Sequence, residues 1–298
     1  MLLDIFISLV ILPQLLQNNL FFEDFLALDP AFEVAADLNS PYRLYTDVLD
    51  VNISAQNALA IDVATGKILY KKNSQEIRPI ASITKLMTAL VFLDYNPGWE
   101  KEFYTIASDR KNGGIIHLNT GEVLSIRNLF NTVLVASDND AASALARATG
   151  LSPEEFVQKM NEKAEELEMN ETIFFEPTGL NLNNKSTAED ITRLLNYALQ
   201  NADIKNATSM YSYQYEVQSK EKTRQVKLVN TNMLTNSYLN VLGGKTGHLE
   251  EAGYCLAVKI AGKQNQEVII VILDSETNFT RFQDVKAIAD FVFTNYQW

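Results

Sequence analysis

Cysteine and histidine are scarce in this 298-residue sequence, which has one Cys and two His. Cys255 therefore cannot form an internal disulfide, and no Cys-x-x-Cys pair indicates zinc or redox chemistry. It lies in an apolar run, which predicts a buried and inert thiol. With only His117 and His248 available, we expect no metal site and no cofactor. A Ser-His-Asp arrangement is disfavoured too, because one of these two histidines would have to be the base.

Positively charged residues are fewer than negatively charged ones. The 25 Lys and Arg against 37 Asp and Glu give a formal net charge of -12. A chain this acidic is not expected to seek nucleic acid or anionic lipid by electrostatic attraction. Hydrophobic residues make up 47% and charged residues 21%, as in an ordinary globular protein rather than a disordered one. The length fits one large domain, or one domain with a lobe.

No apolar run is long enough to cross a membrane comfortably. Residues 1–16 are strongly apolar, but Asp4 and Pro13 interrupt them and the basic start of a signal peptide is missing. The stretch 5–16 is shorter than the ~20 residues that a spanning helix needs. We interpret it as a degenerate export signal or an N-terminal membrane anchor, in preference to a buried helix. Residues 1–50 are thus predicted to be a leader and spacer, followed by one folded domain.

Apolar residues recur at two different periods along the chain. Alternation or short apolar runs predict strands, which are expected at 58–62, 67–70, 211–217, 226–229, 253–260 and 268–273. Helical spacing predicts six helices. Three are expected at 126–134, 141–148 and 285–292, and three more are expected to begin at 82, 152 and 187. This segregated order predicts an α+β fold (an α/β sandwich), with one antiparallel β-sheet flanked by helices and an all-helical lobe at roughly 95–205.

The first of three short motifs is a serine followed by a lysine. Ser82 and Lys85 lie three positions apart at the start of a predicted helix. Residues at this spacing share one helix face, so the amine can be the base that a serine nucleophile needs. The helix N-terminus also favours a developing alkoxide. The pattern is weak by itself, because Ser219 and Lys222 repeat it, and we interpret that second copy as a solvated turn.

Two further motifs follow in chain order. Ser-Asp-Asn at 137–139 interrupts a helical region, where a polar loop could project into a cleft, although a helix cap is the simpler interpretation of the tripeptide alone. Lys-Thr-Gly at 245–247 follows two more glycines, which would let a ligand approach a strand edge closely, although alone it indicates a simple turn. The order of the three motifs, on a helix start, an inter-helix loop and a strand, is what indicates one active-serine cleft.

In this order the motifs resemble those of the active-serine penicillin-recognising enzymes. More narrowly, the segments 78–90, 137–142 and 244–248 are similar to those of the low-molecular-mass D-alanyl-D-alanine carboxypeptidases, and the resemblance runs from about Ala55 to Tyr296. It implies a β-lactamase/DD-peptidase fold and a serine-type carboxypeptidase that trims peptidoglycan stem peptides ending in D-Ala-D-Ala and is acylated by β-lactams. Because wall peptides lie outside the cytoplasmic membrane, it also implies export to the periplasmic or extracellular face.

The resemblance implies roles for single residues. Ser82 attacks the substrate carbonyl, Lys85 takes its proton, and Ser137 relays a proton to the leaving amine. The oxyanion is expected between the backbone N–H groups of Ser82 and His248. The implied substrate-binding residues are Asn139, Lys245, Thr246, Gly247, His248 and Arg281. Arg281 is the weakest of them, since a surface arginine is the simpler interpretation there.

The sequence departs from this family in two respects. No small C-terminal β-domain, present in many members, is expected within 51–298, and Glu176 and Thr178 stand where asparagine and histidine are common. The segment 176–181 also faintly resembles the glutamate loop of one β-lactamase class, so a β-lactamase of the same fold is an alternative. A catalytically silent wall-binding module is another, which the intact motifs disfavour. Endopeptidase or transpeptidase activity on the same peptides stays open.

Overall fold

The computed structural model describes residues 40–44, 50–111, 113–220 and 222–298. Most of the predicted leader and spacer, residues 1–39 and 45–49, lies outside the described residues. Tyr42–Gln297 form one compact unit. In the described part of the chain, no helix has both the length and the hydropathy that a membrane crossing requires.

Seven α-helices and thirteen strands lie within the described residues. The helices are α1 (Thr84–Asp94), α2 (Ile126–Val135), α3 (Asn139–Ala148), α4 (Pro153–Glu166), α5 (Ala188–Ala198), α6 (Ala202–Ser209) and α7 (Thr280–Asn295). The strands are β1 (Tyr42–Arg43), β2 (Asn57–Asp62), β3 (Ile68–Lys72), β4 (Arg78–Pro79), β5 (Glu102–Tyr104), β6 (Val123–Ser125), β7 (Lys185–Ser186), β8 (Ser212–Gln218), β9 (Thr223–Val229), β10 (Asn240–Leu249), β11 (Gly253–Ala261), β12 (Glu267–Ser275) and β13 (Tyr296–Gln297).

A five-stranded antiparallel sheet, in the order β10-β11-β12-β2-β3, is the platform of the fold. Its middle strand β12 is buried at every position from 268 to 273, so both of its faces are covered. Helices α5 and α7 both pack against this strand. Strand β10 forms one edge of the sheet, which places the Lys-Thr-Gly motif at the rim.

A second antiparallel sheet, in the order β5-β6-β8-β9, is not predicted by the sequence. Strands β8 and β9 alternate between exposed and buried positions, as expected for half-buried strands. The sequence assigns them to one sheet with the C-terminal strands, whereas β8 pairs with β6 and β9. The α+β class is confirmed, and the range predicted as the helical lobe contains the short strands β5, β6 and β7. Ser219 and Lys222 are exposed at the turn between β8 and β9, as predicted.

The starts of α4 and α5 follow capping signals in the sequence. Ser152 Oγ accepts a hydrogen bond from the backbone N of Glu155 (3.2 Å), and Glu155 Oε2 accepts one from the backbone N of Ser152 (2.8 Å). Thr187 caps α5 by accepting from the backbone N of Asp190 at 3.1 Å. Helix α6 is not predicted, because its eight residues are too few to show a clear period, and Asn201 caps it.

Cys255 is fully buried in β11, as predicted. Its Sγ–H donates to the carbonyl oxygen of Ala252 at 3.5 Å. Burial raises the pKa of the thiol to about 11, so little reactive thiolate is present at neutral pH. The only cysteine of the sequence is therefore chemically quiet.

Aromatic side chains join α1 to α2 in the core. Phe130 of α2 is fully buried, and its ring centroid lies 5.8 Å from that of Phe92 in α1 and 5.2 Å from that of Trp99. Such ring pairs stabilise a core beyond the area they bury. Because α1 begins directly after the short 3₁₀ helix Ala81–Ile83, this packing fixes the helix that supports the predicted nucleophile.

Replacing Phe130 by Ala is expected to lower the free energy of unfolding by about 3–5 kcal/mol, because a fully buried ring is lost and a cavity remains. Urea unfolding followed by circular dichroism measures the loss. Val229→Ala on β9 is the control, since that side chain is 58% exposed and a change within about 0.5 kcal/mol is expected. Equal losses in the two variants would contradict this account of the core.

Candidate active site

Three distant segments of the chain converge at one site. Ser82 lies in the 3₁₀ helix that precedes α1, and Lys85 follows in the first turn of α1. Ser137 lies in the link between α2 and α3, and Asn139 is the first residue of α3. Lys245 lies in β10, at the rim of the main sheet. The fold therefore brings together the residues of all three sequence motifs.

The amine of Lys85 is at the centre of these contacts. Its Nζ donates to Ser82 Oγ (2.8 Å), to Asn139 Oδ1 (2.7 Å) and to the carbonyl oxygen of Thr178 (2.5 Å). The side chain is fully buried. All three acceptors are neutral oxygens, so the positive charge is solvated by dipoles and not by a carboxylate in contact with it.

Burial lowers the pKa of Lys85 to about 7, while the negative charges of Glu176 and Asp138 act in the opposite direction. A large fraction of this side chain is therefore a free amine near neutral pH. A neutral amine 2.8 Å from a serine hydroxyl can accept the proton of that hydroxyl. The arrangement can thus activate Ser82 as a nucleophile.

A second buried lysine lies beside the first. Lys245 Nζ donates to Ser137 Oγ (2.7 Å) and to the carbonyl oxygen of Thr246 (3.0 Å). The pKa of Lys245 lies well below its ordinary value, first because of burial and then because of the positive charges of Lys85 and Arg281. The hydroxyl of Ser137 is therefore connected to an amine that can readily exchange a proton.

The backbone around the nucleophile is tightly constrained. Ala81 and Ser137 have φ of 45° and 59°, in the left-handed region that residues other than glycine rarely adopt. Such conformations cost on the order of 1–3 kcal/mol each and concentrate at functional sites. A Cβ on Gly247 would lie 2.7 Å from the carbonyl oxygen of Ile80 and 3.2 Å from the backbone N of Ser82. Strand β10 thus passes directly beside the amide of the nucleophile, which requires glycine at 247.

The residues on either side of Gly247 have different environments. Thr246 is buried, and its Oγ1 lies 2.6 Å from Oγ1 of Thr231. His248 is exposed, and its ring stacks on that of Tyr254 with the centroids 3.9 Å apart. Neighbouring groups displace part of the water around the ring, and this desolvation is the main reason why the pKa of His248 is lowered. The oxyanion role predicted for this residue uses its backbone N–H and is independent of the ring.

Arg281 is buried, so its interpretation as a surface arginine is wrong. Its Nη1 donates to the carbonyl oxygens of Gly247 (3.0 Å) and Cys255 (3.3 Å), and Nη2 donates to Asn278 Oδ1. Within the described residues, its Nε has no hydrogen-bond partner. Burial lowers the pKa of the guanidinium to about 10, so it stays charged at neutral pH. Arg281 therefore places a positive charge against the Lys-Thr-Gly strand.

The family follows from sequence similarity to known proteins. The profile of the D-alanyl-D-alanine carboxypeptidases matches residues 45–277. The chain belongs to the D-alanyl-D-alanine carboxypeptidase family. Among its relatives, D-alanyl-D-alanine carboxypeptidase DacF of Bacillus subtilis is 36% identical over 250 residues, which cover 82% of this chain and 63% of DacF. A D-alanyl-D-alanine endopeptidase of Pseudomonas aeruginosa is 34% identical over 275 residues, which cover 87% of this chain and 83% of that protein.

Solved structures of DD-peptidases have the same fold as this family member. The crystal structure of a Streptomyces DD-transpeptidase matches with a TM-score of 0.76 at 29% identity, covering 82% of this chain and 98% of that one. A penicillin-binding protein of Listeria monocytogenes in its cefotaxime-bound form matches with a TM-score of 0.71 at 28% identity, covering 82% and 99% of the two chains. The predicted family, fold class and enzyme class are confirmed.

The loop at 176–184 in this carboxypeptidase-family chain is not predicted as part of the site. It supplies the carbonyl of Thr178 to Lys85. The next residue, Gly179, has φ of 83°, and a Cβ there would lie 2.2 Å from the carbonyl oxygen of Ala81. The sequence carries no signal for a main-chain acceptor, and Gly179 indicates only that a turn or a close backbone approach occurs here.

Asp138, in the middle of the Ser-Asp-Asn motif, forms a second contact that the sequence does not reveal. Its Oδ1 accepts from the backbone N of Ala141 at 2.8 Å, which caps α3. Its Oδ2 lies 3.0 Å from both the backbone N and the ring Nδ1 of His117. The motif is therefore a helix cap and a part of the site at once, so the two interpretations of the tripeptide are not exclusive.

Gly179→Ala is expected to slow the acylation of this enzyme by penicillin about 10²-fold, because the added methyl group would displace the backbone beside the nucleophile. The matched control is Gly121→Ala, since its φ of 85° is similar but nothing lies within 4 Å of its Cβ. The control shares the backbone strain and should keep a near-wild-type rate. Rates of labelling by a fluorescent penicillin measure both, and equal losses would rule out the clash as the cause.

Proposed function

We propose that this protein is a serine-type D-alanyl-D-alanine carboxypeptidase that removes the terminal D-alanine of peptidoglycan stem peptides through an acyl-enzyme on Ser82. The observation that carries the proposal is the 2.8 Å contact between Ser82 Oγ and Lys85 Nζ, in a site where burial lowers the pKa of the amine to about 7. The name of DacF of B. subtilis supports the choice of activity.

In the acylation step, neutral Lys85 takes the proton of the Ser82 hydroxyl while Oγ forms a bond to the carbonyl carbon of the penultimate D-alanine. The negative oxygen of the tetrahedral intermediate lies between the backbone N–H groups of Ser82 and His248. The close approach of Gly247 to the Ser82 amide supports this placement. Each donor of such a pair contributes roughly 3–4 kcal/mol to the transition state.

Collapse of the intermediate breaks the C–N bond, and the leaving amine of D-alanine needs a proton. The proton that Lys85 took from Ser82 passes through the hydroxyl of Ser137 to this nitrogen, which returns Lys85 to its neutral form. The 2.7 Å contact between Ser137 Oγ and Lys245 Nζ supports this role, because it holds the hydroxyl in place. Water then attacks the acyl-enzyme, which frees Ser82 and completes hydrolysis. Lys85, neutral again, takes a proton from this water and gives it to Ser82 Oγ as the acyl C–O bond breaks.

Substrate recognition is assigned to polar groups along the same cleft. Asn139 holds the amide of the stem peptide. The terminal carboxylate is held by Lys245, whose ammonium form the bound negative charge favours, and by the hydroxyl of Thr246, because a charge-assisted hydrogen bond is the strongest available to it. Arg281 adds positive charge from the other side of Gly247, whose carbonyl oxygen it contacts at 3.0 Å.

β-Lactams are expected to acylate Ser82, because their strained ring mimics the terminal dipeptide of the substrate. The structural match to a penicillin-binding protein solved with cefotaxime supports this. Since wall peptides lie outside the cytoplasmic membrane, we place the enzyme at the periplasmic or extracellular face. Residues 51–298 form the proposed catalytic domain, and residues 1–16, outside the described part of the chain, are the proposed export signal or membrane anchor.

Endopeptidase activity on cross-linked wall peptides is the second candidate function, because a relative named for that activity is 34% identical over 87% of this chain. A β-lactamase is less well supported. The carboxylate of Glu176 accepts hydrogen bonds from the backbone N of Thr178 and of Gly179, each at 2.6 Å, so it is already engaged and poorly placed to activate water. The contact between Ser82 and Lys85 disfavours a silent wall-binding module.

The wild-type protein should release D-alanine from a synthetic peptide ending in D-Ala-D-Ala, and Ser82→Ala should release none and take up no fluorescent penicillin. Ser219→Ala is the control, because it alters the second Ser-x-x-Lys copy, which is exposed at a turn, and it should keep full activity. A cross-linked peptide assayed in parallel measures endopeptidase activity. Persistent labelling of Ser82→Ala would remove Ser82 as the nucleophile.

The acylation rate is expected to rise with pH around pH 7. Below the pKa of Lys85, which is about 7, the side chain is protonated and cannot act as a base, and above it the free amine predominates. Stopped-flow acylation by a fluorescent penicillin between about pH 5 and 9 measures this limb. Lys85→Arg should lose nearly all activity throughout the range, because a guanidinium stays protonated. A flat wild-type profile would contradict the role of Lys85.

A further inference from the structure

The carboxylate of Glu176 is surrounded by hydrogen-bond donors from its own loop. Its Oε2 accepts from the backbone N and Oγ1 of Thr178 at 2.6 and 2.5 Å, and its Oε1 accepts from the backbone N of Gly179 at 2.6 Å. Longer bonds to Oε1 come from the backbone N of Asn181 (3.2 Å) and from Nδ2 of Asn184 (3.1 Å). The loop is therefore folded around one carboxylate.

This loop carries contacts to the catalytic helix. The carbonyl oxygen of Thr178 accepts from Lys85 Nζ at 2.5 Å, and the carbonyl oxygen of Pro177 accepts from Thr88 Oγ1 at 2.6 Å. Both donors lie in α1. Gly179 lies against the backbone that precedes the nucleophile. A change in the loop would therefore move an acceptor of Lys85 and the support of Ser82 together.

Packing on another side of this loop is incomplete. Residues 175–178, together with Leu180 and Asn181, line a cavity of about 930 Å³ that α3 and α4 also border. A loop that faces an open cavity has fewer side-chain contacts to keep its shape. The hydrogen bonds to Glu176 are therefore a main constraint on the position of the Thr178 carbonyl.

The charges that face Lys85 come from three elements. Glu176 in the loop and Asp138 in the link between α2 and α3 both favour the ammonium form, and Glu176 has the larger effect on the pKa of Lys85. The positive charge of Lys85 in turn lowers the pKa of Lys245 in β10. Glu176 thus combines two effects on Lys85, one on its position and one on its charge.

We infer that Glu176 is a positioning residue of the active site, whose carboxylate folds the loop that directs the Thr178 carbonyl at Lys85. This inference rests on the proposed function, in which Lys85 is the base. It also accounts for the two departures from the family pattern noted in the sequence, because the side chains of Glu176 and Thr178 bond to each other at 2.5 Å. The two residues that differ from the family pattern therefore form one hydrogen-bonded pair.

In the full-length protein, Glu176→Gln is expected to slow penicillin acylation by about 10²-fold, because the loop would lose its central acceptor. The rising limb of the rate should also move to lower pH, since loss of a nearby negative charge lowers the pKa of Lys85. Glu171→Gln is the matched control, because the side chain of Glu171 is exposed, and it should change neither quantity. Glu176→Asp keeps the charge with a shorter reach, so its rate should fall while its limb stays at the wild-type pH.

A wild-type rate and an unmoved limb in Glu176→Gln would overturn the inference. If Glu176→Gln does not fold, Glu176→Asp is the deciding variant. A wild-type acylation rate in Glu176→Asp would overturn the inference. A reduced rate, with the rising part of the pH profile at the wild-type pH, would support it. D-Alanine release is measured separately from acylation. Absence of release by the wild type would therefore count against the carboxypeptidase proposal alone, and the acylation result would still test Glu176.

Discussion

Lys85 and Lys245 are both buried, and oxygens of hydroxyl, amide and carbonyl groups are their hydrogen-bond acceptors. Removing two ammonium groups from water is unfavourable, and the repulsion between them adds to the cost. Burial lowers the pKa of both lysines, so both amines lose a proton readily. Within the described residues, no carboxylate forms a hydrogen bond or ion pair with either amine. A carboxylate in contact with Lys85 would hold its proton and leave the serine without a base.

Rigid surroundings keep the two amines in place. The acceptors of Lys85 come from the 3₁₀ helix, from α3 and from the 176–184 loop, while Lys245 is fixed by β10 in the main sheet. The left-handed backbone of Ala81 and Ser137 is unfavourable by itself, and it persists because the packed helices and the sheet on either side determine it. The strain and the lysine burial are thus supported by the same core.

The sequence predicts the features that are encoded by residues close together in the chain. Ser82 and Lys85 share one helical turn, and the capping box of α4 lies within four residues, so both are visible without coordinates. Strand pairing is not local, because the alternation in β8 predicts a strand but does not name β6 as its neighbour. The same limit applies to the site. The carbonyl of Thr178 has no side-chain signature, and the burial of Arg281 depends on carbonyl groups of strands β10 and β11.

Cys255 is the only cysteine in the sequence, and it is fully enclosed. Thiol–disulfide exchange requires a thiolate, which burial and a pKa of about 11 suppress. In an oxidising compartment, this chain therefore lacks a thiol that could link it covalently to other proteins. A cysteine introduced at an exposed position such as Tyr238, which is 67% exposed, would be the sole reactive thiol. A spectroscopic label could then be attached there without first removing the native cysteine.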